Sequence, residues 1–266
     1  MQSGIAPALI NVQRGLWVAC LVAQVLLIDK ICYQRLLRRY VWFTLYLAAE
    51  VVWGVVLVQI DYQSSAYAAM FRAYQFTVIV LRFGMVAELY ESICDHFNGI
   101  GRFRFGLAGV IVTVGALFSL VAFQPSLGSQ WGFPHTWMVV LWRFQTSVLC
   151  ISLLLTRFAL HHFLNVRPPM RPNVLNHWTL TTLYFGISAM SGMAILLIGG
   201  GNAILPVNLT MLAGDLVCLL MWISWFRKDG EIIPYVPPIS LEEREYHEAF
   251  KEVVIKEVER LMKDGR

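Results

Sequence analysis

Seven largely apolar stretches, each long enough to cross a membrane as a helix, fill the first 226 residues at 5–28, 39–60, 66–90, 105–124, 136–157, 178–198 and 204–226. A helix needs about 20 mostly apolar residues to span the hydrocarbon core. The run from Phe105 to Phe123 holds no charge, and neither does the run from Trp178 to Gly214, which is too long for one span. Gly199-Gly200-Gly201-Asn202 interrupts that longer run and predicts a tight hairpin. Barrel strands alternate polar and apolar residues over about ten positions. These runs are longer and continuous, so helices are expected.

Charge is segregated in the same way. Residues 1–226 carry 13 Lys/Arg and 7 Asp/Glu, whereas residues 227–266 carry 8 and 10. With 58% hydrophobic and 14% charged residues overall, the chain excludes an ordinary water-soluble domain, a disordered chain and a disulfide scaffold. The predicted fold is all-α: a polytopic membrane protein with a seven-helix bundle at 1–226, a proline-containing spacer at 227–239 and a short cytoplasmic amphipathic helix at 240–264.

The loops set the orientation. Lys30, Arg35, Arg38, Arg39, Arg102, Arg104, Arg157, Arg167, Arg171, Arg227 and Lys228 all fall on one side. The loops at 61–65, 125–135 and 199–203 contain no Lys or Arg. Basic residues mark the cytoplasmic face, which predicts the N-terminus outside and the C-terminus inside. Trp42, Trp178, Trp222 and Trp225 near one face, with Trp131 and Trp137 near the other, fit interfacial aromatic belts. No cleavable signal peptide is expected, and the first helix reads as an uncleaved anchor interrupted by Asn11, Gln13 and Arg14. The five cysteines map to helices or the cytoplasmic side, so no structural disulfide is expected. Asn208-Leu209-Thr210 matches a glycosylation sequon inside the seventh span, where it is not an acceptor.

Ser240 and Glu243 form a capping box ahead of a helix with Phe250, Val253, Val254, Val258 and Leu261 on one stripe. Phe250, Val254, Val258 and Leu261 are the candidates for binding a protein partner. The alternatives are packing on the membrane or on the chain's own body.

Ionisable residues within spans mark functional-site candidates by default. Glu50 and Asp215 fall near the middle of the second and seventh spans. Arg72 and Arg143 fall roughly 6–9 Å nearer the outside at 1.5 Å per residue. Arg72, Gln75, Ile79 and Arg82 form a polar stripe expected to face the bundle interior. Glu50 or Asp215 is expected to pair with Arg72 or Arg143. Such pairs either hold helices together or line a polar cavity or proton relay, while Arg14 fits a lipid-facing, snorkelling role. Ser188 and Gly192 permit close helix contact.

Catalytic signatures are missing from the sequence. No span contains a lysine for a retinal Schiff base. The six histidines are too few for a membrane di-iron site, and none lies deep in a span. His96, His161, His162 and His177 are expected near the cytoplasmic surface without metal-ligand spacing. Neither a rhomboid-like serine motif nor a P-loop or GxGxxG is found. No enzyme activity, metal, cofactor or nucleic-acid partner is expected. The partners expected are the bilayer and a protein at the tail, and any small ligand is unidentified.

Four stretches carry a resemblance: LLRRYVWFTLYLAAEV (36–51), LRFGMVAELYESICDHFNGIGRFR (81–104), LWRFQTSVLCISLLL (141–155) and YFGISAMSGMA (184–194). Together they resemble a multi-copy group of seven-helix integral membrane proteins of acidobacteria that has no assigned activity. The resemblance covers roughly residues 10–226. It implies seven helices and a bacterial inner membrane, and it singles out Glu88, Arg143 and Gln145 as motif positions. The tail helix lies outside the pattern. Three functional readings stay open: a receptor-like component, an accessory subunit, and a small carrier that uses Glu50 and Asp215 as protonatable groups.

Overall fold

The computed structural model describes residues 5–60, 64–94, 134–163, 170–198 and 201–232. Among these residues the regular structure is entirely helical: α1 (Ile5–Tyr33), α2 (Val41–Val58), α3 (Ser65–Cys94), α4 (Pro134–Phe163), α5 (Pro172–Ile198) and α6 (Gly201–Trp225), followed by a 3₁₀ turn at Lys228–Glu231. These six helices cover all the expected spans except 105–124, which lies outside the described residues. The chain divides into two units, Met1–Ile233 and Pro234–Arg266. The second unit, with Phe250, Val254, Val258 and Leu261, lies outside the described residues.

Among the described residues three helices are long and apolar enough to cross a membrane: α1 over Leu9–Tyr33, α2 over Val41–Val58 and α6 over Leu205–Trp225. Several helices run past the apolar segments that predicted them. α1 continues to Tyr33 through Asp29 and Lys30, because the backbone ladder needs helical dihedrals rather than apolar side chains. At its other end Gln13 and Arg14 do not interrupt it, both being good helix formers.

The six helices close into a ring. Each packs on the next in chain order, α6 returns to α1, and α3 also reaches α5 across the middle. Two contacts set α1 and α6 side by side and parallel. The Cys20 thiol donates to the Leu212 carbonyl at 3.5 Å, and the Lys30 ammonium donates to the Ile223 carbonyl. Large apolar side chains face outward from the ring, including Val22 and Leu26 on α1, Val52 and Val55 on α2, Phe76 and Phe83 on α3, and Val217 and Leu220 on α6. In water this surface would be an aggregation liability, whereas toward lipid it incurs no hydrophobic penalty.

Interior packing is uneven along the bundle. Leu27, Ile31, Phe43, Leu47, Met85, Leu89, Trp178, Phe185, Trp222 and Phe226 are fully buried, and all lie in the half nearer the α1–α2 connection. Four joints tie that end together. Arg35 adopts a left-handed conformation (φ 58°), and the Arg35 and Leu36 amides donate to the Cys32 and Ile31 carbonyls, ending α1 in a Schellman motif. Glu88 on α3 accepts from the Trp42 and Phe43 amides, both at 3.2 Å, and so caps α2, whose own N-cap Tyr40 offers no side-chain bond. Asn173 in the first turn of α5 donates to the Arg227 carbonyl and accepts from the Arg227 amide, clamping the exit of α6. Glu231 in the 3₁₀ turn accepts from Arg39 at 2.5 Å, Tyr40 at 2.9 Å and Asn173 at 2.7 Å.

Two expectations at this end are corrected. Trp178 and Trp222 are each only 2% exposed, so they are core residues rather than members of an interfacial belt; Trp42 and Trp225 are exposed. A tryptophan near a helix end points inward or outward according to helix rotation, which composition does not fix. His177 is also not a surface histidine. It is 1% exposed, packs against Tyr40, Phe43, Trp222 and Phe226, and its Nδ1 accepts from the Trp222 indole at 3.1 Å.

Candidate functional site

The loosely packed half of the ring encloses a cavity of about 830 Å³, within the range of small-molecule sites. Residues of α1, α2, α3, α5 and α6 line it. It runs from a rim at Leu57, Val58 and Tyr67, where α2 ends and α3 begins, down to Tyr46, Arg82, Tyr184 and Trp222. Small residues border it: Ser188, Ser191 and Gly192 on α5, and Gly54 on α2, against which Leu21 and Trp17 pack closely. Ser188 and Gly192, read from the sequence as helix-contact residues, thus border the cavity. Asn208 of the sequon also lies on its wall, within helix α6.

Four of the candidate residues meet here: Glu50, Gln75, Arg82 and Asp215. Arg82 is 3% exposed. Its Nη2 donates to the Tyr46 and Tyr184 hydroxyls at 3.4 Å each and stands 4.0 Å from the Glu50 carboxylate. The guanidinium carbon lies 5.6, 5.7 and 5.8 Å from the Tyr46, Tyr184 and Phe185 ring centroids, within cation–π range. The Tyr46 and Tyr184 hydroxyls bond each other at 2.5 Å. The second Glu50 oxygen accepts from the Tyr74 hydroxyl at 2.9 Å. One cation, one anion and three phenols thus form a connected buried network, the arrangement that limits the cost of buried charge.

Asp215 differs. Its Oδ1 is buried without a hydrogen-bond partner, as are Gln24 Oε1 and Gln75 Oε1, whose side chains line the same cavity from α1 and α3. All three atoms are acceptors. The α1–α6 contacts link residues 192 and 193 apart, which brings Gln24 level with Leu216 and Val217, beside Asp215. Arg82 pairs with Glu50 and its charge also acts on Asp215, so among the described cavity residues two carboxyl groups share one cation.

The other candidates lie elsewhere. Arg72 is exposed and does not line the cavity, so Glu50 pairs with Arg82 instead of Arg72. At about 100° per residue, ten positions along a helix leave Arg72 about 80° away from Arg82 around the axis, so the stripe splits. The side chain of Arg143 lies outside the described residues. Glu88 serves as the cap of α2. Gln145 is buried on α4 and donates to the Ile79 carbonyl at 2.7 Å, joining α4 to α3.

Sequence reasoning missed Tyr46, Tyr74, Tyr184 and Gln24. Two signals were present: Tyr46 stands four residues before Glu50 on the same helix face, and Gln24 interrupts an apolar run in α1. Among the described residues no three His, Cys, Asp or Glu side chains converge on a metal-sized site.

No family model matches the chain, and no curated protein or solved structure shows significant similarity to it.

Proposed function

We propose that the chain is a seven-helix bacterial inner-membrane protein, N-terminus outside, that takes a small ligand into this cavity and acts as a receptor-like or accessory component without catalysis of its own. The observation that carries the reading is an 830 Å³ interior space whose walls present Glu50, Asp215 and Arg82 among apolar helices. Buried ionisable groups in such helices are costly and persist where they serve a site. The apolar outer surface and the three membrane-length helices support the membrane setting.

The closed end favours a receptor over a carrier. A carrier must open its site to both faces. Here the tyrosine pair and Trp222 floor the cavity, and the His177 cluster fills the space beyond. Ligand occupancy would instead be passed on through Trp222, which touches both cavity and cluster, toward the basic face. A carrier would keep Glu50 and Asp215 as its protonatable groups.

The test is purification of the full-length protein in mild detergent, followed by mass spectrometry for small molecules and proteins. A receptor-like component retains a small molecule and a stoichiometric partner, and deletion of 240–266 releases the partner alone. Recovery of neither contradicts the proposal.

A further inference from the structure

The unmatched atoms of the cavity define the chemistry of what would fill it. Three buried oxygens on three helices, Gln24 Oε1, Gln75 Oε1 and Asp215 Oδ1, lack donors. A buried acceptor without a donor is destabilising, and more so when it belongs to a carboxylate. The complementary group therefore brings N–H or O–H donors and a positive charge. A primary ammonium supplies three donors and one charge in a single compact head. An anion would meet two carboxyl groups, Glu50 and Asp215, set against the single cation Arg82 among the described lining residues.

The upper walls agree. Trp17, Tyr67 and Phe71 line the cavity between its rim and Asp215, with Tyr67 and Phe71 stacked at 5.9 Å and 12°. Aromatic faces attract organic cations and accept their apolar bodies. A hydrated metal ion would use neither feature.

We propose that the cavity binds a small organic molecule bearing a primary ammonium, with Asp215 as its counter-ion and Gln24 and Gln75 as acceptors. The proposal rests on the ligand-cavity reading above. It is tested by thermal unfolding of the full-length protein in mild detergent with four probes of one shape: phenethylammonium, its N,N,N-trimethyl counterpart, 2-phenylethanol and phenylacetate. The expected result is a saturable rise in melting temperature with phenethylammonium, a smaller one with the trimethyl probe, and none with phenylacetate. Asp215→Asn should weaken phenethylammonium at least tenfold. Gln24→Leu, which removes no charge, should weaken it several-fold and supplies the test if Asp215→Asn does not fold. Stabilisation by phenylacetate or 2-phenylethanol equal to that by phenethylammonium would overturn the ammonium assignment and leave the cavity reading standing. So would unchanged phenethylammonium binding in both variants. No response to any of the four probes would overturn both.

Discussion

Arg82 keeps its charge inside the bundle through contacts of three kinds: hydrogen bonds to two phenols, an ion pair with Glu50, and the faces of three aromatic rings. Removing one member of such a pair leaves the other buried and uncompensated, which costs about 3–5 kcal/mol, whereas removing both costs less. Arg82→Gln should therefore lower the melting temperature in detergent more than Arg82→Gln combined with Glu50→Gln, as a double-mutant cycle would show. Additive losses would mean that the two side chains do not interact. The sequence exposed Glu50, Arg82 and Asp215 because a charge in an apolar run stands out on any hydropathy scale. It hid Tyr46, Tyr74 and Tyr184, which hydropathy counts with the apolar residues although their hydroxyls build the network. Arg72 misled for a geometric reason: spacing that shares a face over one or two turns drifts off it over three.

At the scale of the element, the chain joins its helices by end contacts that no periodicity reveals. Glu88 caps a helix on a different segment, and Asn173 clamps the exit of another. Both are tertiary bonds, set by how helices come to rest against each other. Helix existence was legible because apolar runs of membrane length admit little else. Helix rotation was not, which is why Trp178 and Trp222 face the core. The Schellman turn after α1 offers a test of local geometry. Arg35 occupies a left-handed position that glycine fills without steric cost. Arg35→Gly should stabilise the bundle by about 1 kcal/mol, read as a higher melting temperature. A lower one would show that the side chain contributes more than its backbone strain costs.

Across the whole molecule, packing and polarity divide the bundle in two. The half with the basic loops is filled by large buried side chains and locked by Glu231 and Asn173. The other half holds the cavity, with its rim at Leu57, Val58 and Tyr67. On the orientation proposed above from the basic loops, the filled half lies toward the cytoplasm and the cavity faces outward, the arrangement of a site that samples external solutes. The all-helical architecture and its apolar helices were legible from composition. The cavity was not, because an empty volume is a property of how five helices meet.

The most direct test is cysteine accessibility in intact cells. The five native cysteines, including Cys20 on the cavity wall, would be replaced and a single cysteine placed at Gln75. A membrane-impermeant thiol reagent should label that cysteine from the outside, and phenethylammonium should slow the labelling. Labelling only after the cytoplasmic face is exposed would contradict both the orientation and the outward-opening cavity.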